Sequence, residues 1–216
     1  MDIYLALVRF FHDGGPLMFF IAAVLAAGLA IAVERYLYLS RARRNNQRQW
    51  SNLVPLLNRG AFREAYNATR DSRHPIDEVM SCALNRLSTA KQRDDVELAL
   101  EEAMMGVTPR LEKRTHYLAT FANIATLLGL LGTIIGLIHA FNTVAGLDPA
   151  TKADQLASSI SVAMNTTAFG LVVAIPLLLV HAVLQTKTTE IIDGLEMAGV
   201  TFINLISTRP RAGQDT

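Results

Sequence analysis

Three stretches of the chain lose polar alternation altogether. Leu17 to Val33 is apolar throughout, while Tyr117 to Leu147 and Gln155 to Thr186 contain no Asp, Glu, Lys or Arg. About 20 apolar residues carry a helix across the hydrocarbon core of a bilayer, so each stretch predicts a membrane span. Between the first two runs, Trp50, Leu53, Leu56, Leu57, Phe62, Ala65 and Tyr66 recur at helical intervals interrupted at Asn58-Arg59-Gly60. The segment Asp71-Ser72-Arg73-His74-Pro75 breaks the pattern again, and Ile76, Val79, Met80, Ala83, Leu84 and Leu87 resume it. Asp94-Asp95 places negative charge where a helix start favours it, leading into Val96, Ala99, Leu100 and Ala103 in a helix that Pro109 either kinks or divides. After the third run, Ile191, Leu195 and Ile203 interleave with Glu190, Asp193 and Glu196 as an amphipathic continuation. No strand-like alternation occurs. The fold class is therefore all-α: a polytopic membrane protein with three transmembrane helices and long helical extensions.

The boundaries follow from the punctuation. Residues 1–13 form a weakly amphipathic outer segment, and Gly14-Gly15-Pro16 opens a first span over 14–39 that ends in the collar Glu34-Arg35-Tyr36-Leu37-Tyr38. Adjacent Glu34 and Arg35 read as a solvated, snorkelling pair. Residues 40–116 are a helical soluble region, 117–147 the second span, and 148–154 a short polar loop signalled by Gly146-Leu147-Asp148-Pro149 with Lys152 and Asp154. The third span covers 155–186, kinked at Pro176, and 187–216 is a helix and tail. Asp2 at the start, without a basic-then-apolar order, argues for a retained N-terminus.

Net charge near zero carries little information, but its distribution does. Fourteen of the twenty basic residues fall between Ser40 and His116, which places that region on the cytoplasmic side, the N-terminus outside and the C-terminus inside. The single cysteine, Cys82, can form no internal disulfide and reads as a structural residue.

No metal-spaced His/Cys cluster, phosphate-binding glycine loop or nucleophile with an acid partner occurs, so neither catalysis nor a cofactor nor nucleic-acid binding is expected. What the spans do carry is small and hydroxyl residues. Ala122, Thr126, Gly129, Thr133, Gly136 and Ala140 are spaced four and three apart, on one helical face, and Gly132 with Gly136 forms a small-xxx-small pair. Thr167 shares a similar face with Ala163, Gly170 and Ala174. Hydroxyls in lipid bond back to their own helix, bridge helices or line water. Counting 1.5 Å per residue from each span's outer end puts Thr133 and Thr167 at about the same depth, as expected of a shared hydrated path. Asn165 and Thr166 are candidates for that path or for helix bridging; Gly129, Gly132, Gly136, Gly170, Ala174 and Pro176 are read as packing positions. His139 and His181 lie near opposite ends of their helices and read as interfacial hydrogen bonders rather than proton relays. No Asp or Glu lies deep in any span, so a proton path through them needs an acid from another subunit.

These motifs resemble a known family. Gly14-Gly15-Pro16, Glu34-Arg35, Leu118-Ala119, the run Leu127-Leu128-Gly129-Leu130-Leu131-Gly132-Thr133-Ile134-Ile135-Gly136 and Thr166-Thr167-Ala168-Phe169-Gly170 through Pro176 are similar to the ExbB/TolQ branch of the MotA/TolQ/ExbB channels. The resemblance covers nearly the whole chain. It implies a bacterial inner-membrane subunit that forms a homopentamer around a dimer of ExbD/TolR-like single-span proteins, each bearing a membrane aspartate. Ion flow is then converted to mechanical work on envelope machinery such as a TonB- or TolA-like protein. It also implies that Thr133 and Thr167 are pore threonines. This chain departs from the pattern at Thr126, often Pro in the family, and at Val162, where many members carry glutamate. The first bears on the bend of the second helix, and the second leaves the coupled ion open between proton and sodium. The alternative expectation is a non-conducting membrane scaffold.

Overall fold

The computed structural model describes residues 15–90, 92–144 and 149–208. Among them the chain is helical without strands: α1 (Leu17–Arg59), α2 (Phe62–Thr69), α3 (Pro75–Leu87), α4 (Arg93–Glu112), α5 (His116–Val144) and α6 (Pro149–Thr208). The proposed outer segment 1–13, the turn 146–148 and the tail from 209 lie outside the described residues.

Three stretches are long and apolar enough to cross a membrane, with mean hydropathies of 2.4, 2.1 and 2.4 over their most apolar windows, drawn from α1, from α4–α5 and from α6. Less than a third of each window is buried within the chain. Leu127, Leu130, Ile134, Val172 and Leu179 stand outward. A soluble chain does not expose so much contiguous apolar surface, whereas lipid or neighbouring helices cover it at no cost. At 1.5 Å per residue the 60 residues of α6 reach about 90 Å, three times the hydrocarbon thickness, so most of that helix lies beyond it.

The chain divides into two compact units: Met1–Arg35 with Arg114–Val183, and Tyr36–Lys113 with Leu184–Thr216. In the first, Met18, Ile21, Leu118, Ala122, Ala125, Ala163, Val173 and Leu177 are buried where α1, α5 and α6 meet. Gly28 of α1 makes room for Leu177, whose Cδ2 would stand 2.7 Å from a Cβ placed there. The Glu34 carboxylate accepts both hydrogen bonds from Arg114 Nη1, at 2.7 and 2.8 Å, joining α1 to the turn that precedes α5. This corrects the expectation of a Glu34–Arg35 pair. Neighbours one residue apart on a helix do not face each other, and Arg35 is buried instead.

The second unit has its own core of Leu39, Leu53, Leu57, Ile76, Met80, Val107, Leu111, Leu184, Leu195 and Phe202. Its helices begin and end for local reasons. Gly60 takes φ +79° just after α1, at the expected break. Pro75 occupies the first turn of α3, whose Ile76 N–H donates to Asn46 Oδ1 at 3.3 Å. The Asp95 carboxylate accepts from the Gln92 N–H at 3.1 Å at the head of α4. Phe62 meets Phe202 edge to face at 6.2 Å. Arg43 pairs with Glu190 at 2.7 Å, and the Lys187 ammonium lies 3.7 Å above the Tyr36 ring while donating to Ser40 Oγ at 3.2 Å, so α1 and α6 are tied by charge as well as by packing.

Two expectations about helix limits change and a third is narrowed. Of the two outcomes left open for Pro109, division does not occur, since α4 continues through it to Glu112; the chain turns only where Lys113 becomes extended and Arg114 takes φ 65°. Residues from 40 do not begin a new set of short helices, because α1 runs on to Arg59, through Pro55. Lys152 and Asp154, placed in a polar loop, sit in the opening turns of α6, because Pro149 supplies a favourable first helical residue.

Asp77 and Cys82, both in the second unit, are perturbed. Burial lifts the Asp77 carboxyl above its ordinary range, against the hydrogen bond it accepts from Ser72 Oγ at 2.5 Å and the nearby His74. Burial also raises the half-buried Cys82 thiol, with Glu102 adding to the effect, which suits an inert structural cysteine.

Candidate functional site

The candidate site is the seam between α5 and the part of α6 up to Val183, which lies within the first unit. Glycines set how close these helices come. A Cβ at Gly129 would lie 3.2 Å from Thr167 Cα, one at Gly136 2.6 Å from Ala163 Cβ, and one at Gly170 2.7 Å from the Ala125 carbonyl oxygen. Gly132 faces the Thr166 methyl more tightly still. Pairing 136 with 163, 132 with 166 and 129 with 170 keeps the sum of residue numbers almost constant, as two antiparallel helices in fixed register require. Backbones approach this closely only where side chains are absent, and that contact, not an apolar driving force, is what associates helices in lipid.

The hydroxyls divide between the two helices. Thr167 Oγ1 donates across the seam to the Gly129 carbonyl at 2.7 Å. Thr133 Oγ1 donates back to Leu130 of its own helix at 2.6 Å, Thr126 to Ala122 at 3.1 Å and Thr166 to Val162 at 3.1 Å. Thr166 is buried at 2% exposure, while Thr133, Thr167 and Asn165 are partly covered. By the helix register, Thr133 and Thr167 differ in height by about one residue, or roughly 2 Å. Both oxygens keep lone pairs that can still accept a hydrogen bond. Ala174 is buried and Pro176 faces outward, and α6 runs through Pro176 unbroken.

Sequence reasoning did not find Gly28 under Leu177, or the Arg114 partner of Glu34. The first had a visible signal, a glycine inside an otherwise large apolar run. The second had none, because the pair is 80 residues apart in the chain. Among the described residues no group of three His, Cys, Asp or Glu side chains is arranged to hold a metal ion.

The fold and its seam define a helical, multi-pass membrane protein whose second and third spans pack together through glycines. The sequence pattern of the MotA/TolQ/ExbB proton channel family matches residues 71–197, more than half of the chain, and the chain belongs to that family. It is similar to an ExbB homolog of Methanothermobacter thermautotrophicus, described as a biopolymer transport protein, at 28% identity over 91% of this chain and 69% of that protein. The Tol-Pal system protein TolQ of Haemophilus influenzae is 36% identical over 43% of this chain and 40% of its own length. These relatives place the chain in the ExbB/TolQ-like branch. Among solved structures, MotAB of C. jejuni superposes with a TM-score of 0.50 over 94% of this chain and 89% of that one, at 17% identity, a likeness of fold.

Proposed function

We propose that the protein is the ion-conducting subunit of an inner-membrane motor of the ExbB/TolQ kind, with its N-terminus periplasmic and its C-terminus cytoplasmic. Its spans are 14–39, 117–147 and 155–186. In this reading a homopentamer encloses a dimer of ExbD/TolR-like single-span proteins, whose membrane carboxylates complete a path bordered by Thr133 and Thr167, with Thr166 and Asn165 beside them. The work is delivered to a TonB- or TolA-like protein. The observation that carries this reading is the seam itself: a glycine-tight helix pair with threonine hydroxyls along it and no Asp or Glu in either apolar run, so that the acid must come from elsewhere. One elementary charge moving through 100 mV releases about 2.3 kcal/mol, enough to bias a step of the enclosed pair if ions do not leak past it.

The test is ion flux through the protein in vesicles with and without a co-purified, Asp-bearing single-span partner. Flux that needs the partner's aspartate supports the motor subunit. Normal assembly with no flux in either case supports the scaffold reading instead, which the bridging Thr167 hydrogen bond favours at that one residue.

A further inference from the structure

A second feature of the first unit lies beside the seam. A cavity of about 410 Å³ opens between the start of α1, at Gly15, Pro16 and Leu17, and the faces of α5 and α6 that carry His139 and Ser158, Ser159, Val162 and Thr166. The register of the α5–α6 contact orders these residues along the cavity. His139 falls level with Ser159, Val162 lies about one turn deeper, and Thr166, opposite Gly132, lies about one further turn inward, beside the height of Thr133. The cavity thus leads from an imidazole at its outer end to the Thr166 hydroxyl of the seam. Its lining is mostly apolar, with His139, Ser158, Ser159 and Thr166 as the side chains along it that can hold water.

The geometry points to His139 as the proton acceptor at the outer mouth of this cavity, passing protons inward toward Thr166 and Thr133. The inference rests on the ion-conducting reading above and extends it by naming a residue and an ion. Among the residues lining the cavity, His139 alone carries an ionisable side chain; α1 contributes Gly15, Pro16 and Leu17, and α6 contributes hydroxyls and Val162. The nearest charged residues on α6 are Asp154 and Lys152, about 7 and 10 Å along the helix outward of Ser159 and not part of the lining. An imidazole can take a proton on one ring nitrogen from outer water and release the proton on its other nitrogen to water or a hydroxyl on the inner side. One N–H bond forms as another breaks, and the ring returns to its neutral state as the other tautomer. Threonine and serine hydroxyls further in can accept and donate but cannot store the charge, which leaves the loading step to His139.

The experiment uses the complete complex with its single-span partner, reconstituted in vesicles, with proton flux followed by an internal pH dye while outer pH is varied at constant total driving force. Wild-type flux should rise through an inflection as outer pH falls. His139→Gln should lose that inflection and conduct about tenfold or more slowly at outer pH 6, the low side of what a positioned proton-transfer group contributes. The double variant His139→Gln/Val162→Glu, which returns a titratable group to the same cavity, should recover flux with a different pH midpoint. His181→Gln should keep the wild-type profile. If His139→Gln fails to assemble, carbethoxylation of His139 in the assembled wild-type complex, mapped by peptide mass and reversed by hydroxylamine, gives the same readout. A conducting complex whose pH profile is unchanged by loss or modification of His139 overturns this inference and leaves the motor reading standing. A wild-type complex that conducts sodium but not protons overturns this inference alone, and one that conducts neither ion overturns both.

Discussion

Thr167 donates its hydroxyl proton to the Gly129 carbonyl across the α5–α6 seam at 2.7 Å, while Thr133, about one turn along α5, bonds to its own helix. Two threonines of similar depth therefore do different structural work. Replacing Thr167 by Val removes an interhelical hydrogen bond worth about 0.6 to 1.7 kcal/mol in a membrane. Thr133→Ala removes only a local bond and should leave stability within about 0.5 kcal/mol of wild type. Thermal unfolding of the detergent-solubilised protein should order the two variants this way, whereas ion-dependent work in the reconstituted complex should fall in both. Unchanged work in both variants would remove these threonines from the path.

Neither the contact at Gly170 nor the one at Gly132 can be relieved by a change of rotamer. A Cβ on Gly170 meets the Ala125 backbone oxygen at 2.7 Å, and one on Gly132 meets the Thr166 Cβ at 2.7 Å, an atom that rotation about χ1 does not move. Gly170→Ala and Gly132→Ala should each cost about 1 to 3 kcal/mol by overpacking. Their melting temperatures and retained oligomer on gel filtration decide the point; a wild-type melting temperature in either variant would mean that the helices separate there at little cost.

The Glu34–Arg114 pair is half exposed, so its pairing energy is small, about 0.2 to 1 kcal/mol. Its value is positional, because Arg114 holds φ 65° at the turn leading into α5. Arg114→Gly should therefore be tolerated better than Arg114→Val, since glycine adopts that backbone freely and a β-branched residue does not. A protease-sensitivity comparison at the 113–115 turn should show Val more susceptible than Gly, and the reverse order would disprove the backbone account.

Asp77 gives the second unit a dependence on acid pH whose sign is opposite to that of an ordinary ion-paired carboxylate. Its pKa in the folded state lies above the unfolded value because burial disfavours the charge. The folded chain thus binds more protons across that interval, and stability falls as pH rises from the unfolded pKa through the folded one. Asp77→Asn should flatten this part of the profile. Chemical denaturation of the protein at a series of pH values above 4 reads the slope; a wild-type stability that rises there, with the rise lost in Asp77→Asn, would contradict it.

The membrane helices were legible because lipid imposes a requirement that composition alone reveals: a segment without charges must satisfy every backbone group internally, and only a helix does so. The periodicity of Ile76 to Leu87 and the break at Asn58-Arg59-Gly60 were legible for the local reasons of amphipathic burial and turn chemistry. The seam was partly legible, since small residues at spacings of three and four mark a face without saying what it meets. Nothing local distinguished a threonine that bridges helices from one that bonds to its own turn. That choice depends on which carbonyl lies within reach once Gly129, Gly132 and Gly170 have let the backbones approach.

By itself, the sequence determined that three helices cross the membrane, that no acid lies within them, and that two of them carry faces hollowed for close contact. Charge and hydropathy act on each segment independently, so these properties do not wait for folding. Tertiary structure alone decided that Gly129 meets Thr167, that Glu34 finds Arg114, that α4 passes Pro109 unbroken, and that His139 and Val162 border one cavity. Those outcomes depend on register between segments distant in the chain, which no single segment contains.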